Sequence, residues 1–116
     1  MSMVKPETDL SALLSNLEPR LLKATYVFCT VPQGRERDAW AQQPLATFFE
    51  EEGLSVVISK AKADEIGWTY ESVYRCITLQ VYSSLEAVGL TAAVATQLAR
   101  AGIGANVIAA KNHDHV

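Results

Sequence analysis

The stretch Tyr74–Val116, YRCITLQVYSSLEAVGLTAAVATQLARAGIGANVIAAKNHDHV, carries the clearest local signals in the chain. It reads as strand, tight turn, helix, strand. Ile77, Leu79 and Val81 alternate with Cys76, Thr78 and Gln80, the period-two pattern that sends one set to each face of a strand. Leu90, Val94 and Leu98 recur at helical spacing, flanked by Ala93 and Ala101 in an alanine-rich context that favours helix, and Gly102 stops that helix. Asn106–Ala110 supplies the second strand, and HDHV follows it to Val116.

Working outward, the chain has 116 residues, 49% apolar and 20% charged, enough for a real core in one compact unit or two very small ones. Ten basic against 13 acidic residues give a formal net charge of −3, with no basic run. Nucleic acid and anionic membranes are disfavoured as partners, because affinity for phosphate rests on clustered Lys and Arg. No apolar run approaches the roughly 20 residues of a membrane span. MSMVKPETDL lacks an apolar signal core, so a cytoplasmic protein is expected. Cys29 and Cys76 fall in predicted strands and read as small, buried, reduced hydrophobes.

Thr8 or Asp9 can cap a first helix bearing Leu10, Leu13, Leu14 and Leu17, which Pro19 ends or kinks. Tyr26–Val31, YVFCTV, is an apolar and β-branched run that predicts a central strand. Pro32–Asp38 reads as a polar loop whose alternating charges face water. Leu45–Glu52 after Pro44 is expected to form a short helix, with Phe48 and Phe49 inward, Glu50, Glu51 and Glu52 outward, and Gly53 as its stop. Leu54–Ser59 predicts a second strand, and Ala61–Ile66 a helical turn before Gly67. Strand and helix alternate at short spacing, which argues for helices laid on one sheet. A boundary, if the chain has one, falls between Gly67 and Val73, giving units 1–72 and 73–116.

Candidate chemistry concentrates at the turn. Ser83-Ser-Leu-Glu86 fits a capping box, in which a serine oxygen takes a helix amide and Glu86 reaches back; that accounts for the side chains structurally. The backbone amides of Ala87, Val88, Gly89 and Leu90 lie at the positive end of a helix, where a carboxylate is favoured, and Gly89 permits close approach. Glu86 would repel a bare anion and attract an ammonium, so a zwitterion suits this turn better than a phosphate. Asn106 can both donate and accept, as binding an amino acid requires, although a strand-edge Asn near Gly104 is equally read as a turn residue. His113 and His115 would share a strand face, but Asp114 would point the other way and a structural zinc needs four ligands, so no metal is expected. No cofactor loop, nucleophile elbow or activated cysteine is present in the sequence, and no catalytic residue is assigned.

Ser83-Ser-Leu-Glu-Ala-Val-Gly-Leu-Thr-Ala92, Gly102-Ile-Gly-Ala-Asn-Val-Ile108 and His113-Asp-His115 resemble the ACT domain family, and within it small bacterial ACT-domain-containing proteins of unknown function. Leu10–Ile66, with YVFCTV and EEGLSVVIS, looks like the N-terminal half found in the same proteins. The resemblance implies an α+β, ferredoxin-like βαββαβ fold, tandem or paired, acting as a non-enzymatic regulatory or sensor module. It further implies an amino acid bound at an ACT-domain interface, a homo-oligomer, and a ligand loop of Ser84, Leu85, Glu86, Ala87, Val88, Gly89 and Leu90 faced by Asn106. In the family the HDH segment leads into a further strand, a helix and a last strand. Ending at Val116 therefore implies a shortened C-terminal unit whose inner third strand is missing or comes from the N-terminal half or a second chain. A structural or protein–protein interaction module without ligand is the alternative.

Overall fold

A computed structural model describes residues 19–79 and 90–116. The expected first helix, with Leu10 to Leu17, lies outside the described residues, as do Gln80, Val81 and Ser84–Gly89 of the turn. The strands are β1 (Pro19–Val31), β2 (Ala46–Glu50), β3 (Gly53–Ser59), β4 (Tyr74–Leu79), β5 (Ile108–Ala109) and β6 (Asp114–His115). The helices are α1 (Glu36–Trp40), α2 (Lys60–Ile66) and α3 (Leu90–Arg100). Two compact units result: Leu22–Cys76, and a second that includes Ile77–Val116. The division falls inside β4, whose first half closes one unit and whose second half opens the other.

Within Leu22–Cys76 the elements run β1-α1-β2-β3-α2-β4, the βαββαβ order, and the strands lie side by side as β2-β3-β1-β4. β1 and β3 pair antiparallel from Tyr26 opposite Ser59 to Val31 opposite Leu54. Alternation then sorts the residues by face. Val27, Cys29 and Val31 of β1 meet Leu54, Val56 and Ile58 of β3 in one core, closed by Ala39 of α1 and Ala63 of α2 and flanked by Ile66, Trp68 and Tyr70. Leu54, Val56, Ile58 and Val27 are fully buried, each contributing about 1.5–3 kcal/mol of transfer free energy. On the opposite face Phe28 is 44% exposed.

The helices of this unit are short and held by their ends. Ser59 Oγ accepts the Lys62 amide at 3.2 Å at the start of α2. Gly67 closes it at φ 78°, with Gly67 N–H donating to Asp64 O and Trp68 N–H to Ala63 O, a Schellman arrangement. At α1 the Glu36 carboxylate accepts the Gly34 amide at 3.0 Å and Arg35 pairs with Asp38. The segment Arg35–Asp38, expected as loop, thus enters a helical turn that buries only Ala39. One small inward residue gives too short an apolar period to show in the sequence.

The expected helix Leu45–Glu52 is instead the strand β2, paired antiparallel with β3 from Ala46 opposite Val57 to Glu50 opposite Gly53. Thr47, Phe48 and Phe49 favour an extended, pleated surface, and the cross-strand ladder outweighs the modest helical preference of the glutamates. Gly53 is a hairpin residue rather than a helix stop. Its φ of 139° is open to glycine, and a Cβ there would stand 2.5 Å from Val31 O.

Within the second unit β6 lies between β4 and β5, with Thr78 opposite His115 and Ile108 opposite His115. The described elements run β4-α3-β5-β6, so the inner strand expected to be missing, or to come from the N-terminal half or a second chain, is Asp114–His115 itself. Reciprocal bonds between Ile77 and Val116, 2.7 and 2.8 Å, extend the pairing. Thr78 and Leu79, on opposite faces of β4, are both buried. Thr78 tolerates burial because its hydroxyl meets His115 Nδ1 at 2.9 Å. Gly102, at φ 75°, ends α3 as expected, with Ile103 N–H donating to Leu98 O. The strand expected from Asn106 begins only at Ile108.

Candidate functional site

Of the residues expected at the ligand turn, Ser84, Leu85, Glu86, Ala87, Val88 and Gly89 lie outside the described residues, and Leu90 is the first residue of α3. Asn106 is exposed in the irregular stretch between α3 and β5. His115 Nδ1 is engaged by the Thr78 hydroxyl, while His113 Nδ1 is buried without a hydrogen-bond partner among the described residues. Among the described residues no group of three or more His, Cys, Asp or Glu side chains could hold a metal ion.

Among the described residues a concave surface lies in the Leu22–Cys76 unit, lined by β1 and the segment that follows α2. Two depressions of about 240 and 370 Å³ share Cys29, Thr30 and Thr69. The smaller reaches Arg35 and Asp38, whose charges are paired at 2.6 Å. The larger is walled by Phe28, Tyr70 and Tyr74 and carries Glu71 and Ser72 at its polar side. Phe28 and Tyr74 meet edge to face with centroids 5.3 Å apart.

Tyr70 is fixed by its hydroxyl, which donates to Asp64 Oδ1 at 2.6 Å, while Lys60 Nζ donates to Asp64 Oδ2 at 2.8 Å. The Lys60 ammonium, with the Tyr70 hydroxyl, holds the Asp64 carboxyl below its ordinary value. The Asp64 hydrogen bond in turn raises Tyr70, and Lys60 is raised by the same partners, Asp64 first. Burial pushes the Cys29 thiol up. Its thiolate is therefore scarce near neutrality, the opposite of an activated nucleophile.

Reading along the sequence did not assign Phe28, Tyr70, Tyr74 or Glu71 to a site. The available signal was local: Phe28 is the out-of-core residue of YVFCTV, and Trp68-Thr69-Tyr70-Glu71 is an aromatic run just after the helix-ending Gly67.

An ACT domain family model matches residues 5–75. The chain belongs to the ACT domain family. A second ACT domain model matches residues 71–116, so both halves of the chain carry ACT-type sequence. The βαββαβ order of Leu22–Cys76 and its β2-β3-β1-β4 sheet are the ferredoxin-like arrangement of the ACT fold. ACT domains are commonly small-molecule regulatory modules and typically not catalytic. A solved structure of a Vibrio cholerae protein of unknown function, described as a possible transport protein, is similar at 48% identity and a TM-score of 0.81, over 93% of this chain and 82% of that one. A search of curated proteins found no match. Among the described residues no helix of this ACT protein is long and apolar enough to cross a membrane.

Proposed function

We propose that this chain is a non-enzymatic regulatory or sensor protein of the cytoplasm that binds a small molecule, an amino acid above all, and pairs with itself. The observation that carries the reading is the presence of ACT-type sequence in both halves, one of them a complete βαββαβ unit. The turn Ser84–Leu90 and Asn106 are the proposed ligand contacts. Helix amides would meet the α-carboxylate, Glu86 would meet the α-ammonium, and Asn106 would serve either. The raised Cys29 thiol is consistent with a binding rather than a covalent role.

A thermal-shift screen of the common amino acids tests this. A ligand at 100 times its dissociation constant stabilises the folded chain by about 2.7 kcal/mol. The Asn106→Ala variant keeps its unliganded melting temperature and loses the shift. No shift with any amino acid defeats the sensor reading, and an undiminished shift in the variant removes Asn106 from the site.

A second reading, a protein–protein interaction module without ligand, is favoured by Phe48 and Phe49 on β2, which are 72% and 67% exposed. It predicts concentration-dependent association that Phe48→Ser weakens and amino acids leave unchanged.

A further inference from the structure

We infer that the groove between Phe28, Tyr70 and Tyr74 is a binding site for an organic ammonium group. Neither the turn at Ser84 nor Asn106 enters this inference, which goes beyond the amino-acid reading.

Three observations converge. The first is shape: Phe28 and Tyr74 are 44% and 41% exposed, with ring planes 81° apart, so they form two walls of an open corner rather than a closed stack. An aromatic face attracts a cation through its quadrupole when the charge lies within about 6 Å of the ring centre. The second is charge. Among the described residues the lining holds one carboxylate, Glu71, and no Lys, Arg or His. Of the cations nearby, Lys60 pairs with Asp64, the partner of Tyr70, at 2.8 Å, Arg35, in the adjoining depression, pairs with Asp38 at 2.6 Å, and Arg75, next to Tyr74, donates to Leu22 O at 2.9 Å. Among the described residues Glu71 is thus the one charged group in the lining of the groove. The third is the polar complement. Thr30, Thr69 and Ser72 contribute hydroxyl oxygens, which can accept from an N–H or solvate an N-methyl group. Tyr70, also in the lining, is held by its hydroxyl to Asp64 at 2.6 Å. A volume of about 370 Å³ accommodates a small amine or a trimethylammonium group.

The test is an NMR titration of the full chain at low ionic strength with choline, with 1,5-diaminopentane, and with 3,3-dimethylbutan-1-ol, the uncharged counterpart of choline. None of the three carries a carboxylate, so failure here leaves the amino-acid reading intact, and failure of that reading leaves this one intact. Saturable shifts of the Phe28 and Tyr74 ring resonances are expected with choline, the diamine or both, the two arms distinguishing quaternary from primary ammonium. The alcohol produces none. Tyr74→Leu, which keeps an apolar side chain but removes the π face, weakens binding about three- to tenfold, and Tyr74→Phe restores it. Glu71→Gln weakens binding and flattens its salt dependence. No saturable shift with either cation, equal binding of the alcohol, or unchanged affinity in both Tyr74→Leu and Glu71→Gln overturns the proposal.

Discussion

Tyr74 sets its ring edge to face against Phe28, with centroids 5.3 Å apart and planes at 81°, joining the last strand of the βαββαβ unit to its first. Arg75, the next residue, donates to Leu22 O at 2.9 Å, so consecutive residues of β4 fix the strand to β1 through a ring contact and a hydrogen bond. Replacing Tyr74 with Ala removes the ring pair, worth about 0.5–1.5 kcal/mol beyond area burial. Urea denaturation should show a lower midpoint with an unchanged slope. An unaltered midpoint would mean that the pair contributes nothing in solution.

Gly53 is the least replaceable glycine described. Its positive φ disfavours any side chain, and the Val31 carbonyl occupies the space that a Cβ would take. Gly53→Ala is expected to destabilise the fold by about 1–3 kcal/mol from backbone strain, with the close contact adding to it. Thermal unfolding gives the answer, and a variant as stable as the parent would show that the β2–β3 hairpin is looser than described.

The Lys60–Asp64–Tyr70 cluster makes a pH prediction with two limbs. The folded-state pKa of Asp64 is lowered, so its contribution is present above the ordinary carboxylate value of 3.8 and is lost as pH falls through the lower, folded value. The pKa values of Tyr70 and Lys60 are raised. Their contributions are present below the ordinary 10.0 and 10.5 and are lost as pH climbs through the folded values. Melting temperature followed against pH should therefore show a plateau between those limits. Asp64→Asn should lower the plateau slightly, as fits an exposed cluster, and reduce both slopes. Slopes identical to the parent would remove the cluster from the pH response.

In the second unit, Thr78→Val keeps the shape of β4 and leaves His115 Nδ1 without the hydroxyl that meets it at 2.9 Å. Leaving a part-buried polar group unmatched costs about 1–3 kcal/mol. Faster hydrogen exchange at the Val116 amide, which bonds to Ile77 O, is the local readout. Unchanged exchange there would show that the backbone ladder alone holds β6.

Much of the fold was legible because local pattern and tertiary environment agree. Tyr26–Val31 and Leu54–Ser59 are β-branched runs that do become the central pair, and Gly67 and Gly102 do end helices. Leu45–Glu52 reads as a helix from its local pattern because adjacent Phe48 and Phe49 fit a helix face as well as a strand edge. The ladder to β3, which settles the matter, is a long-range fact. The two-residue strand Asp114–His115 is too short to carry a period of its own and exists through its neighbours. The groove was harder still. Phe28 lies far along the chain from Tyr70 and Tyr74, and only the antiparallel sheet brings these rings to one hollow.

The central claim, that this ACT protein binds an amino acid, is tested most directly by isothermal titration of the full chain with each common amino acid. Saturable heat with at least one of them, abolished by Asn106→Ala in a variant that melts like the parent, is the predicted result. The absence of saturable heat with every amino acid would contradict it.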